Sequence, residues 1–123
     1  MRTGLAWTTL VLSFAVHAGE VNQAAAVTAI REGTITYDVR SQSEYEAGTV
    51  LNAVRVDSRR VVRQFEQTMA DKNSRAVIFS STDARASKAQ DQLRKAGYYS
   101  VINGGNYEEL HIAVYDLKDD PAQ

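Results

Sequence analysis

The segment Val77–Gln90, VIFSSTDARASKAQ, places an apolar run before six small or polar residues and then resumes with helix-forming sequence. Ser80, Ser81, Thr82, Asp83, Ala84 and Arg85 therefore occupy the turn where a strand hands the chain to a helix. Backbone N–H groups in such a loop converge on its centre, and the helix that follows adds partial positive charge at its N-terminus. Arg85 brings a full charge into the first helical turn. This combination suits an anion-binding loop, although Arg85 could equally hydrogen-bond loop carbonyls and hold the turn.

Ser80 is the hydroxyl placed for nucleophilic chemistry, and a serine nucleophile needs a base within reach. The histidines are His17 and His111. The first lies in an apolar leader, and the second has no motif linking it to the loop and reads as a surface residue. Cysteine is absent, which excludes a thiolate nucleophile, a persulfide and a soft metal ligand. With no ligand spacing among the remaining residues, neither a metal site nor a cofactor is expected.

Arg55, Arg59, Arg60 and Arg63 form a basic cluster, read as a solvated face. The formal net charge is −1, too near neutrality for a nucleic-acid or anionic-membrane partner.

The first 18 residues differ from the rest. Arg2 precedes an uncharged apolar run, Gly4–Val16, and Val16-His17-Ala18 puts small residues at the −3 and −1 positions of a cleavage site. This is the three-part pattern of a secretory signal peptide. The run, about 13 residues, is short of the ~20 that span a bilayer. The expectation is a signal peptide over residues 1–18 and a single exported domain over 19–123, most naturally periplasmic, with no membrane span after cleavage.

The elements that must position the loop follow from periodicity. Val21–Arg31 reads as a helix stopped at Gly33, and Thr34–Val39 as a strand. Ser43 with Glu46 suggests a capping box for a short helix ended by Gly48. Val54–Val56 is a brief strand. Ser58 is expected to cap a helix whose apolar stripe is Val61, Phe65 and Met69. Ala76–Phe79 is a continuous apolar run, as a strand covered on both faces should be. Ala86, Ala89, Leu93 and Ala96 line a helix that ends at Gly97. Tyr99–Ile102 is a further strand, Gly104-Gly105 a break, and Tyr107–Ile112 a last helix. The core is expected over about residues 22–112, with a partly frayed tail at 113–123. Alternation of strands and helices implies an α/β fold, a central parallel sheet flanked by helices on both faces. Ligands in such folds sit beyond the carboxyl ends of the strands, and Asp38 and Arg40, ending one of them, are candidates for the pocket rim.

Three segments carry a family resemblance. DVRSQSEYEAGTVLNAVRV at Asp38–Val56 resembles the rhodanese-domain pattern D-V-R-x-x-x-E-[YF]-x-x-G-H-I-x-x-A, through Asp38, Val39, Arg40, Glu44, Tyr45, Gly48 and Ala53. VIFSSTDARAS resembles that family's active loop, C-x-x-x-x-R followed by a small residue, through Arg85 and Ala86. AGYYSVINGGNYEEL resembles the closing segment G-[YF]-x-x-V-x-x-[LV]-x-G-G-x-x-x-W, through Gly97, Tyr98, Val101, Gly104 and Gly105, with Leu110 at the tryptophan position. The nearest subtype is the small exported single-domain kind, similar to phage shock protein E.

The resemblance implies a rhodanese-like fold and a family chemistry in which a loop cysteine takes sulfur from thiosulfate as a persulfide and passes it to a thiophile. Asp38, by the same resemblance, braces neighbouring loops. Ser80 holds the cysteine position, and oxygen forms no transferable persulfide. Thr49 stands where histidine is usual, Leu51-Asn52 where proline-glycine is common, and Asp83 where glycine is frequent. A carboxylate at Asp83 turned inward would oppose anion binding. The leading expectation is a catalytically inactive rhodanese-like domain. It would bind a small oxyanion, a sulfur anion such as thiosulfate, or a protein partner through the Ser80–Arg85 loop. The alternative is a thiosulfate sulfurtransferase whose natural cysteine at position 80 was replaced by serine, and a third possibility is a structural module whose loop binds nothing small.

Overall fold

The computed structural model describes residues 19–69 and 71–116. The expected leader over residues 1–18 and the tail beyond residue 116 lie outside them.

Asn22 accepts a hydrogen bond from the Ala25 N–H and starts helix α1, Gln23–Arg31, whose alanines allow close approach to the sheet. Strand β1, Thr36–Asp38, is buried throughout. Helix α2, Gln42–Ala47, does carry a capping box, but Ser41 and Glu44 form it rather than Ser43 and Glu46. Two serines with a glutamate three residues on compete here. The earlier pair wins because Ser41, directly after the strand exit, has the extended backbone that an N-cap needs.

Strand β2 is short, Val54–Arg55. A 3₁₀ turn at Ser58–Arg60 leads into helix α3, Val61–Thr68. The cap of that turn is Asp57, which accepts from the Arg59 N–H, and Ser58 falls one position inside it. Strand β3, Ala76–Ser80, is fully buried and passes to helix α4, Asp83–Lys95, through Ser81 and the N-cap Thr82.

The last strand departs most from expectation. β4 covers Val101–Asn106 and runs through both glycines that read as a break. A Cβ on Gly104 would stand 2.9 Å from Leu110 Cδ2 and 3.3 Å from the Ile78 carbonyl oxygen, so the strand passes beneath α1 and α5 only without a side chain. Gly105 has φ of 79°, a backbone that bends the chain into helix α5. That helix, Tyr107–Tyr115, continues three residues past the expected core boundary.

The four strands form a parallel sheet in the order β2-β1-β3-β4. Alternation along β3 sends Ala76 and Ile78 to one face and Val77 and Phe79 to the other. On the first face Tyr37, Phe65 and Tyr98 pack with Val61 and Leu93 of α3 and α4, with the Tyr37 and Phe65 rings 4.7 Å apart. The second face is more aliphatic: Ala26, Ala29 and Ile30 of α1 meet Leu110 and Val114 of α5.

The strand order has a functional consequence. From β1 the chain moves outward to β2, then returns past β1 to start β3, and continues in the opposite direction to β4. The order reverses between β1 and β3, and the crevice at such a reversal, beyond the carboxyl ends of the strands, is where this class of sheet binds ligands.

Candidate functional site

The carboxyl ends of β1 and β3 lie side by side: the Val39 N–H bonds to the Phe79 carbonyl at 2.9 Å, and the Ser80 hydroxyl donates to the Val39 carbonyl at 3.2 Å. Above this seam opens a cleft of about 520 Å³. Val39 and Arg40 enter its wall from β1, Ser41 and Glu44 from the start of α2, and Arg55, Asp57, Ser58 and Arg59 from the β2–α3 connection. Ser80 contributes the end of β3, and Arg85, Lys88 and Gln92 line the α4 side.

Ser80 is 1% exposed, and its proton is already committed to the Val39 carbonyl. Among the described residues, no histidine lines the cleft. His111 instead sits in an α5 ring stack, 5.2 Å from Tyr107 and 4.9 Å from Tyr115 between centroids. A buried hydroxyl bonded to a carbonyl, without a base, is poorly placed for nucleophilic attack.

Of the six loop residues expected to bind, Ser80 and Arg85 reach the cleft wall. Thr82 caps α4 by accepting from the Arg85 N–H at 3.1 Å, and the Ser81 hydroxyl accepts from the Arg85 guanidinium at 3.0 Å. Ala84 is exposed. Asp83 turns away from the loop centre: its Oδ1 accepts from the Asn106 N–H at 2.8 Å and from the Asn106 side-chain amide at 2.9 Å. The repulsion that an inward carboxylate would exert is thus absent, and Asp83 instead pins the β4–α5 junction to the start of α4.

The two rim candidates divide. Arg40 lines the cleft, whereas Asp38 is fully buried behind it and is not part of the wall. Asp38 accepts from the Arg40 N–H at 3.0 Å, from the guanidinium at 2.7 Å, and from the Thr49 hydroxyl at 2.8 Å. Thr49, which replaces the family histidine, thus completes the carboxylate's partners. Arg40 also donates to the Gly48 carbonyl at 2.6 Å and stacks 3.8 Å from the Tyr107 ring centroid. Nε and Nη2 of Arg40 are thus spent within the fold.

The cleft is cationic. Arg40, Arg55, Arg59, Arg85 and Lys88 face Glu44 and Asp57. Both carboxylates stay ionised. Hydrogen bonds from the Ser41 side chain, and then from its backbone, hold Glu44 below the usual carboxylate range, with Arg40 and Arg85 adding attraction. The Arg59 guanidinium and N–H lower Asp57 to about 2. Arg55 donates to the Arg40 carbonyl at 3.1 Å and so leans over the β1 exit. The excess of cations leaves the site suited to an anion.

Arg55, half-buried in the cleft wall, corrects the solvated-face reading of the basic cluster; Arg59 reaches the cleft mouth as an exposed surface ion pair with Asp57, and Arg60 and Arg63 do not line the cleft. Local sequence held no sign of this. It depends on β2 pairing beside β1, with Asp38 opposite Arg55. Lys88 and Gln92 were missed too, although their spacing of three and seven residues from Arg85 places all three along one helix face.

Among the described residues, no three metal-ligating side chains gather, and no helix is long and apolar enough to cross a membrane.

The model of the rhodanese-like domain matches residues 22–109. No curated protein matches the chain. Among solved structures it resembles the rhodanese-like domain of an Anabaena protein, with a TM-score of 0.66 and 19% identity over 80% of this chain and 75% of that one. It also resembles a rhodanese from E. coli described with anions (TM-score 0.59, 22% identity, 62% of this chain and 89% of that). A human single-domain sulfurtransferase scores 0.59 at 21% identity, over 75% of this chain and 94% of that. These likenesses are of fold, and they reproduce the parallel sheet and flanking helices expected from the strand–helix alternation. With the family model spanning most of the described residues, the chain belongs to the rhodanese-like domain family, which includes sulfurtransferases.

Proposed function

We propose that this protein is an exported rhodanese-like domain that binds through its cationic cleft and does not transfer sulfur. The observation that carries the reading is Ser80. It ends β3 on the floor of the cleft, buried, with its hydroxyl donated to the Val39 carbonyl. Persulfide transfer needs a sulfur that ionises near neutral pH, which a thiol with pKa ~8.5 does in a positive pocket. A serine hydroxyl does not ionise there, and the chain has no cysteine elsewhere to substitute.

The surroundings support retention of binding. Arg85 and Lys88 on α4 face Arg55 and Arg59 across the cleft, and Asp83 is turned outward. The ligand class is a small oxyanion or a sulfur anion such as thiosulfate; an anionic segment of a protein partner would meet the same groups. Export, and with it a periplasmic location, rests on the leader pattern at residues 1–18.

The test is thiosulfate:cyanide sulfurtransfer by the protein as it stands and by Ser80→Cys. The expected result is no turnover by the first and measurable transfer by the second, because the cationic cradle is in place around position 80. Steady turnover by the unaltered chain would overturn the proposal. Activity confined to Ser80→Cys would place the whole defect in one atom, as the alternative of a replaced natural cysteine also requires; reading codon 80 of the source gene separates those two.

A further inference from the structure

A second set of observations lies on the far side of α4 from the cleft. Val21 bridges to Asn103 of β4 in parallel, and the Asn22 N–H donates to the Asn103 carbonyl at 2.8 Å. The segment ahead of α1 is thereby laid along the free edge of β4, and its first described residue, Gly19, is buried. Gly19 packs against α4 so closely that a Cβ would overlap the Gln90 side chain and stand 2.8 Å from the Ser87 carbonyl oxygen. Gln90 is 8% exposed, and its amide nitrogen donates to the Val101 carbonyl at 3.0 Å. Its Oε1 is buried with no hydrogen-bond partner. An orphaned buried acceptor loses its hydration without compensation, and native structures rarely leave one without a reason.

The leader pattern places the cut between Ala18 and Gly19, the residue beside that acceptor. We propose that hydrolysis of the Ala18–Gly19 bond creates a new amino terminus that docks on α4, its ammonium donating to Gln90 Oε1. Water supplies hydroxyl to the Ala18 carbonyl carbon, and the Gly19 nitrogen leaves with the proton and is protonated to an ammonium at neutral pH. One amide hydrogen thus becomes three donors on the residue that packs against the Gln90 side chain. Gln90 itself lines a cavity of about 430 Å³ with Glu20 and Arg94, so both signs of charge lie near the acceptor. Glycine is required at position 19 for contact with α4, and as a small residue it also suits the cut.

This inference rests on the export reading, and the two are tested separately. The intact mass of the exported protein reads the cut. Docking is read by a stability cycle of four chains released from a fusion without extra residues: starting at Gly19 or at Ala18, each with Gln90 or Gln90→Met. With Gln90 in place, the Gly19 start is expected to melt at least about 6 °C above the Ala18 start, the size of a lost charge-assisted hydrogen bond in a domain of this length. In Gln90→Met the two starts should melt together, since the acceptor is gone from both. A mass that begins elsewhere would overturn the cut. A Gly19 mass with start-dependent stability unchanged by Gln90→Met, or with no dependence at all, would overturn the docking and leave export standing.

Discussion

Arg40 and Arg85 both stand just beyond the carboxyl ends of neighbouring strands, and the fold treats them in opposite ways. Arg40 has a side chain 5% exposed, paired with Asp38 at 2.7 Å, bonded to the Gly48 carbonyl and stacked on Tyr107. Arg85 is exposed, with Ser81 as its side-chain hydrogen-bond partner. The first arginine joins three segments: the β1 exit, the loop after α2 and the start of α5. The second leaves most of its donors to the cleft. A guanidinium held by a buried counter-ion, a carbonyl and a ring is scaffold first, and one whose donors mostly face an open cationic cleft is available to a ligand.

Breaking the buried pair should have the largest effect. Asp38→Ala removes the carboxylate that receives Arg40 and Thr49 and leaves a guanidinium buried without its counter-ion. Such one-sided losses cost about 3–5 kcal/mol. The urea midpoint should fall accordingly, a loss that is a large share of the usual stability of about 5–15 kcal/mol. A loss as small as that of a surface substitution would erase the contrast with Arg85.

The opposite arginine should show the opposite profile. Arg85→Gln keeps the helix and the option of a hydrogen bond to Ser81, so stability is expected to change by no more than about 0.5 kcal/mol. Thiosulfate or sulfate binding, followed by calorimetry or by amide shifts in the Ser80–Arg85 loop, should weaken by tenfold or more, since a charge-assisted bond is worth roughly 1.5–3 kcal/mol. Unchanged anion affinity together with lost stability would assign Arg85 the role of a turn brace.

That contrast marks how far the sequence alone could be read. Strand–helix alternation exposed the parallel sheet, because each strand and helix declares its period locally. The position of the β3–α4 loop and of Arg85 could be read for the same reason. What escaped depends on partners distant in the chain. Asp83 faces outward because Asn106, 23 residues away, offers it two N–H donors. Gly104 continues a strand because α1 and α5 crowd the backbone from above. Arg55 reaches the cleft because β2 lies beside β1. None of these is written in a window of ten residues.

The smallest effect concerns the pair at the outer wall of the cleft, which sits between the two extremes. Asp57 caps the 3₁₀ turn and meets Arg59 at 3.2 Å, yet the Arg59 side chain is 87% exposed. Hydrogen bonds from the Arg59 side chain and then its N–H lower the Asp57 carboxyl from 3.8 to about 2. A carboxylate depressed in the folded state contributes stability above its unfolded value and loses it as pH falls toward the folded one. The contribution of Asp57 is therefore full above about pH 4–5 and gone below about pH 2. Solvent screening keeps it modest. The measurement is the difference in urea midpoint between wild type and Asp57→Asn, which should be small at pH 7, shrink at pH 2, and shrink also in 1 M salt at pH 7. A difference that stayed constant in acid would mean that the capping geometry, which asparagine retains in part, outweighs the charge. Asp57 would then belong with Asp38 as scaffold, and not with the charges that the cleft presents to a ligand.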